Sequence, residues 1–316
     1  MTRRAKKRVN LAAGLLVGLV SLVAASPAGA LVTIPGQIYG LADVGGTNGD
    51  LFRNTTSNTW RQLTSGLSFP ESVNAAPNGK FAVICATRSP GGVYRVYRVP
   101  MSGGRLRNLI GNRSGCGQTV SPDSRKVAYV SDPRRRVAKL NVVRSGGGGN
   151  RTIYRFCSGC MYDPVWAGKR IYFERAVQRN PLADREVFSV RARDGKGLRR
   201  HTNDGGSLID YELMDVSRDG RNLLILRTDG FGSGGLSVFA PSGTLRYDLA
   251  VETGTQRLGD ASFSPSGTSV AYLRRESEPD PNVLWTGPNA PGSWFGSFPS
   301  PSGSVTGLYS IDWTRR

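Results

Sequence analysis

The chemistry open to this chain is narrow. It holds one histidine, His201, and four cysteines, Cys85, Cys116, Cys157 and Cys160. A Ser-His-Asp triad would have to use His201, which sits in "LRRHT" and reads as a surface residue at an outer strand. Zinc sites built from clustered histidines are excluded. "CSGC" (157–160) has the Cys-x-x-Cys spacing but no thioredoxin-like βαβ setting to lower a thiol pKa. An even number of cysteines in an exported chain suits two disulfides instead. "SGGGGN" (145–150) and "GFGSGG" (230–235) resemble phosphate loops only in glycine content, since no helix follows to offer its amino terminus. Carboxylates remain, as general acids and bases or as ligands for a cation.

Whether the chain is exported is written at its start. "MTRRAKKRV" carries five basic residues and no acid, "LAAGLLVGLVSLVAA" is apolar or small throughout, and "SPAGA" offers small residues around a cut after Ala30. That is the order of a secretory signal peptide, and the apolar run is too short to span a bilayer comfortably. Residues 31–316 then form the mature chain, with no membrane span expected in it and a net charge of +14, because five of the 42 basic residues and none of the 23 acids leave. Such a charge favours anionic partners such as cell-wall polymers. Its densest run, "PRRRV" (133–137), lacks interleaved aromatics, so nucleic acid is not expected.

The elements that must position these residues are short strands. With 41 glycines, 18 prolines and no long segment of helical period, the chain reads as all-β. One pattern recurs: "NAAPNGKFAVICAT", "QTVSPDSRKVAYVS", "YDPVWAGKRIYFER", "MDVSRDGRNLLILR" and "ASFSPSGTSVAYLR". Their turn positions, Gly79, Ser124, Gly168, Gly220 and Gly267, fall 45, 44, 52 and 47 residues apart. Two further strand patterns follow most turns, so each unit is four strands in about 47 residues, a propeller period. Ahead of the first unit, "QIYGLAD", "GDLFRN" and "WRQLT" look like strands b, c and d without a strand a; "GLYSIDW" near the other end looks like the missing strand a. Joined, the ends complete a blade and remove an open edge. The count is a six-bladed propeller in one domain, 31–316. The Ser and Asp of "VSPDSRKVAYVSD" read as turn residues rather than catalytic ones, and Ser124 must take the positive φ that glycine takes in the other copies.

"VSPDSRKVAYVSD", "VSRDGRNLLILRT" and "FSPSGTSVAYLRR" resemble the repeats of the TolB-type β-propeller. TolB carries an additional α/β domain ahead of its propeller, and no segment here is free to form one. The resemblance implies a six-bladed propeller, secreted or at the cell envelope, that binds something.

In such a blade strand a lines the central channel. The residues at the start of each strand a then ring one mouth: Glu71, Gln118, Tyr162, Asp163, Asp210, Glu212, Asp260 and Tyr309 are the candidate ligand-binding set. They suit a cationic peptide segment or a sugar. Without Asp-x-Asp-x-Asp spacing a calcium site is not expected, nor is any cofactor. The same geometry puts Cys85, at the end of a strand b, beside Cys116, at the start of the next strand a. Cys85–Cys116 with Cys157–Cys160 is the expected pairing, and Cys116–Cys157 is the alternative. The expected function is a non-catalytic, monomeric scaffold for an envelope protein or peptide or an anionic cell-wall polymer. The other reading is a carbohydrate-active enzyme using Glu71, Glu212 or Asp260 as acid and base.

Overall fold

Strand pattern and turn chemistry lead to twenty-four strands and no helix among the described residues of the computed structural model. Those residues are 36–44, 48–54, 59–131, 137–157, 162–177, 185–203, 209–229, 234–252, 256–277, 283–290, 296–298 and 308–314. The signal segment, the 158–160 part of "CSGC" and hence a Cys157–Cys160 bridge lie outside them.

Four antiparallel sheets have four strands each. The first joins β8 (Gly115–Val120), β9 (Lys126–Ser131), β10 (Val137–Arg144) and β11 (Arg151–Cys157). The second joins β12 (Tyr162–Ala167), β13 (Arg170–Ala176), β14 (Arg185–Arg191) and β15 (Arg199–Arg200). The third holds β16 (Asp210–Val216), β17 (Leu223–Thr228), β18 (Gly234–Phe239) and β19 (Leu245–Val251). The fourth holds β20 (Arg257–Phe263), β21 (Ser269–Arg275), β22 (Val283–Pro288) and β23 (Gly296–Phe298).

The remaining strands form one sheet of eight: β24 (Leu308–Thr314), β1 (Gln37–Asp43), β2 (Asn48–Asn54) and β3 (Trp60–Gln62), then β4 (Leu67–Ala75), β5 (Phe81–Thr87), β6 (Arg95–Pro100) and β7 (Arg107–Asn108). Four separate blades thus stand where the repeat count is six. The difference has a local cause: Asn48 pairs with Ser68 and Gly49 with Leu67, and this two-residue bridge joins the two halves of the eight-stranded sheet. The first and last described strands meet in that sheet, where β24 pairs with β1 from Gln37↔Thr314 to Ala42↔Leu308.

Inner strands β4, β8, β12, β16, β20 and β24 follow one another as neighbours around an axis, and the last touches the first. Apolar clusters fill the spaces between successive four-strand units. Phe81, Val83, Val127 and Tyr129 seal one, for example, and Leu224, Val238, Phe263 and Tyr272 another. A middle strand therefore has both faces covered, which is why all seven residues of "FAVICAT" are buried.

All five turn positions have positive φ: 68° at Gly79, 61° at Ser124, 53° at Gly168, 72° at Gly220 and 73° at Gly267. Around Ser124 the motif works as a turn: Ser121 Oγ donates to Asp123 Oδ1 at 2.6 Å, which also accepts from Arg125 N at 3.0 Å. Ser124 also has a partner outside its own turn. Its Oγ accepts from the N–H of Asn78, 46 residues earlier, at 3.1 Å. Left-handed backbone at a non-glycine costs about 1–2 kcal/mol and the bond returns about 1 kcal/mol. Ser124→Gly should therefore unfold within about 1 kcal/mol of wild type, whereas Ser124→Ala, which keeps the strain and loses the bond, should be destabilised by about 1–2 kcal/mol in urea titrations.

Candidate functional site

Each inner strand runs along a sheet edge, β4 doing so past its two-residue bridge to β2, so some of its backbone N–H groups have no ladder partner. Side chains of the preceding inner strand supply the acceptors. Asn74 Oδ1 accepts from Val120 N (2.7 Å) and Thr119 Oγ1 from Trp166 N (3.0 Å). Asp215 Oδ2 accepts from Phe263 N (2.8 Å), Ser262 Oγ from Trp313 N (3.3 Å) and Asp312 Oδ2 from Ala75 N (2.5 Å). Val165 occupies the sixth place and has no acceptor to give; there Asp215 Oδ1 takes the N–H of Val216 at 2.7 Å. These residues were not among the sequence candidates. The signal was present, since Asn74, Thr119, Asp215 and Ser262 each stand five residues before a turn position.

Ser262 Oγ lies 3.1 Å from Asp215 Oδ2 and 3.1 Å from Asp312 Oδ1. One hydroxyl proton cannot serve two carboxylates, so a second proton is favoured on the pair. Burial is the leading cause that pushes Asp215 up to about 6 and Asp312 up to about 8, with Asp215 adding its repulsion to Asp312.

Nearer one mouth, the channel widens into a cavity of about 290 Å³. Seven carboxyl groups line it: Glu71, Asp163, Glu174, Glu212, Asp215, Asp260 and Asp312. Arg185 is the cation set against them. It bonds Glu174 at 2.9 Å and Asp210 at 2.5 Å and lies 3.7 Å from Glu212. Burial opposes its charge, but those carboxylates outweigh it and raise its pKa. Burial also raises Glu174, whose Oε1 accepts from Leu213 N, and Glu212 and Asp163. Asp260, accepting from Ser310 Oγ and Ile311 N at 2.9 Å each, is pushed up to about 7, chiefly by burial.

Of the candidate residues, Glu71, Gln118, Asp163, Glu212, Asp260 and Tyr309 line this cavity. Their roles differ. Gln118 is buried and bonds Ser72 O and Oγ, Asp260 is held by the wall, and Asp210 serves Arg185. The Tyr309 hydroxyl is buried close to Gly49, without a hydrogen-bond partner, rather than offered to the mouth. Glu71, Asp163 and Glu212 keep accessible surface facing the cavity, although the surrounding channel walls still desolvate Asp163 and Glu212. The Tyr162 side chain lies outside the described residues.

Cys85 and Cys116 form a disulfide with Cα atoms 5.2 Å apart, so the alternative Cys116–Cys157 pairing is ruled out. Glu71 Oε2 lies 2.8 Å from Cys116 Sγ. Carboxylate and sulfurs are close enough to suggest a metal triad, but the bridge removes both thiolates as ligands. His201 corrects its surface reading. It is buried, with one ring nitrogen 2.6 Å from Pro241 O and the other 2.6 Å from Ser189 Oγ. The carbonyl requires an N–H, so His201 accepts from Ser189 and burial lowers its pKa. Ser189 is itself fully buried, which denies this serine–histidine pair a substrate.

Solved structures of similar fold include TolB from Acinetobacter baumannii (TM-score 0.69, 15% identity, covering 89% of this chain and 67% of that one). A chain of a nidogen/laminin complex matches at TM-score 0.59 and 14% identity, over 88% of this chain and 98% of that one. An oligogalacturonate lyase in complex with manganese matches at 0.53 and 12%, over 75% and 67%. The likeness is one of fold, and the fold is a β-propeller. No family model matches the sequence. No curated protein matches it either. Three such different proteins on one architecture leave function to the site.

Proposed function

We propose that this chain is an exported, non-catalytic six-bladed propeller of the cell envelope whose acidic channel mouth holds a cationic segment of a partner protein or peptide. Six repeats are supported by the ring of inner strands and by reading the eight-stranded sheet as two blades joined at Asn48–Gly49. Export is supported by the signal pattern and by the Cys85–Cys116 bridge. The carrying observation for binding is the excess of carboxyl groups over Arg185 around one cavity. A lysine or arginine entering there would relieve repulsion that burial otherwise answers by protonation.

The enzyme reading has one point in its favour, the pKa of about 7 at Asp260, suited to acid–base work. Against it, all three Asp260 contacts are to the wall, from Ala261 N, Ile311 N and Ser310 Oγ.

Glu71→Gln with Glu212→Gln separates the two. In calorimetry with an octa-arginine probe, the double variant should bind about five- to thirtyfold more weakly, each lost ion pair at a half-exposed site being worth about 0.5–1 kcal/mol. Wild-type affinity should rise from pH 6 to pH 8, because the raised carboxyls must ionise to hold the cation. Equal binding by both proteins sinks the scaffold reading. Glycan turnover by wild type that the double variant lacks would establish the enzyme.

A further inference from the structure

The net charge is concentrated in one part of the chain. From Pro77 to Cys157 sixteen lysines and arginines stand against two acids, Asp123 and Asp132. Over the rest of 31–316 the two signs balance at twenty-one each. The whole excess of +14 therefore falls on two adjacent units, β4–β7 and β8–β11.

Between these units the apolar seal of Phe81, Val96, Val127 and Tyr129 gives way to a polar groove of about 570 Å³. Arg113, Lys139 and Arg151 line it, and among the described residues no carboxylate does. Neither Arg113 nor Arg151, both exposed, pairs with an acid among the described residues. The floor is built from bonded polar groups. Asn141 Nδ2 donates to Ser131 Oγ at 2.8 Å, and Asn141 Oδ1 accepts from Thr152 Oγ1 at 2.8 Å. The Tyr129 hydroxyl donates to Asn150 Oδ1 at 2.9 Å, leaving the Asn150 amide N–H groups for another acceptor. A second groove, at the other side of β4–β7, repeats the chemistry with Arg88 and Arg105 and again no acid among the described residues.

We infer that this groove binds an acidic polysaccharide, with arginines taking carboxylates and the amides and hydroxyls taking sugar hydroxyls. Guanidinium forks match carboxylates. Hydroxyl-rich lining distinguishes the groove from a bare positive surface, and half-exposed Val93 on its wall offers an apolar contact for a sugar ring. This site is separate from the acidic mouth, so either can fail without the other.

The test uses the chain from residue 31, with alginate, dextran and polyphosphate as probes at rising salt. Alginate should bind, weaken steeply with salt, and lose about tenfold in affinity in Arg113→Gln/Lys139→Gln/Arg151→Gln. A charge-matched control at exposed sites elsewhere, Arg193→Gln/Arg221→Gln/Arg257→Gln, should stay within about twofold of wild type. Asn112→Ala/Ser114→Ala keeps every charge and should weaken alginate while leaving polyphosphate unchanged. Unchanged octa-arginine binding and unfolding midpoints would show that the groove variants remain folded. Equal loss in the control triple overturns the site. Polyphosphate binding as tight as alginate, with neither altered by Asn112→Ala/Ser114→Ala, overturns the carbohydrate assignment.

Discussion

Asp312→Ala should lower the thermal unfolding midpoint by about 6–9 °C at pH 6.5. Asp312 sits on β24, in the strand that joins the end of the domain to its beginning, and its two oxygens accept from Ala75 N at 2.5 Å and Trp313 N at 2.7 Å. Alanine leaves the Ala75 N–H with no acceptor and Trp313 N with the long 3.3 Å contact to Ser262. A buried donor without a partner costs about 1–3 kcal/mol, so a loss of about 3 kcal/mol is expected, at about 2–3 °C per kcal/mol for a domain of this size.

Asp312 also sets the sign of a pH effect. It ionises near 4 when unfolded but is pushed up to about 8 in the fold. Between those values the folded state holds the extra proton, so stability falls as pH rises and levels off above about 8. Asp215 and Asp260, raised to about 6 and about 7, act in the same direction over lower windows. His201 acts in the opposite sense, because a lowered pKa costs stability only as the pH drops below its unfolded value near 6.5. Midpoints recorded from pH 6.5 to pH 8.5 should therefore decline in wild type. The slope should flatten in Asp312→Asn, which keeps one acceptor and cannot ionise. A wild-type midpoint that climbs over this range would refute the shared-proton account of Asp215, Ser262 and Asp312.

Removing the Cys85–Cys116 bridge should have an effect of similar size. The cysteines are 31 residues apart in sequence, and closing a loop of that length restricts the unfolded chain by about 3–4 kcal/mol. Cys85→Ser/Cys116→Ser should thus unfold about 8 °C lower than the oxidised wild type, and dithiothreitol should bring wild type down to meet it. The variant should also bind octa-arginine less well, because Glu71 rests against Cys116 Sγ at 2.8 Å and the bridge fixes that stretch of the mouth. A double variant as stable as wild type would show that inter-blade packing alone carries this seam.

Much of the architecture was legible because it is repeated. A turn of Pro, Asp or Asn and Gly followed by an apolar run is a local instruction, and copies about 47 residues apart announce the unit. The pairing of β1 with β24 followed from the same logic, since two incomplete repeats at opposite ends had one strand set between them. The cysteine pair followed as well, once strand b and the next strand a were taken to rise and fall side by side. The joining of β2 to β4 was not legible, because a bridge of two residue pairs leaves no pattern. His201 was misread for a related reason. "LRRHT" looks like an edge strand, and only the arrival of Pro241 from the β18–β19 turn and Tyr172 from β13 covers its ring.

The division within the carboxylates is the clearest case of what sequence and tertiary structure each decide. Sequence alone determined that acids would gather at the starts of the inner strands, because side-chain period and turn spacing are properties of neighbours along the chain. It could not say which acids the fold would consume. Asp260 and Asp312 answer backbone donors 51 and 237 residues away, and Asp210 answers an arginine on another strand. Glu71, Asp163 and Glu212 keep exposed or half-exposed side chains, though Glu212 lies 3.7 Å from Arg185. A hydrogen bond is won or lost over less than an ångström. That distance is set by how six inner strands close around an axis, and no local pattern carries it.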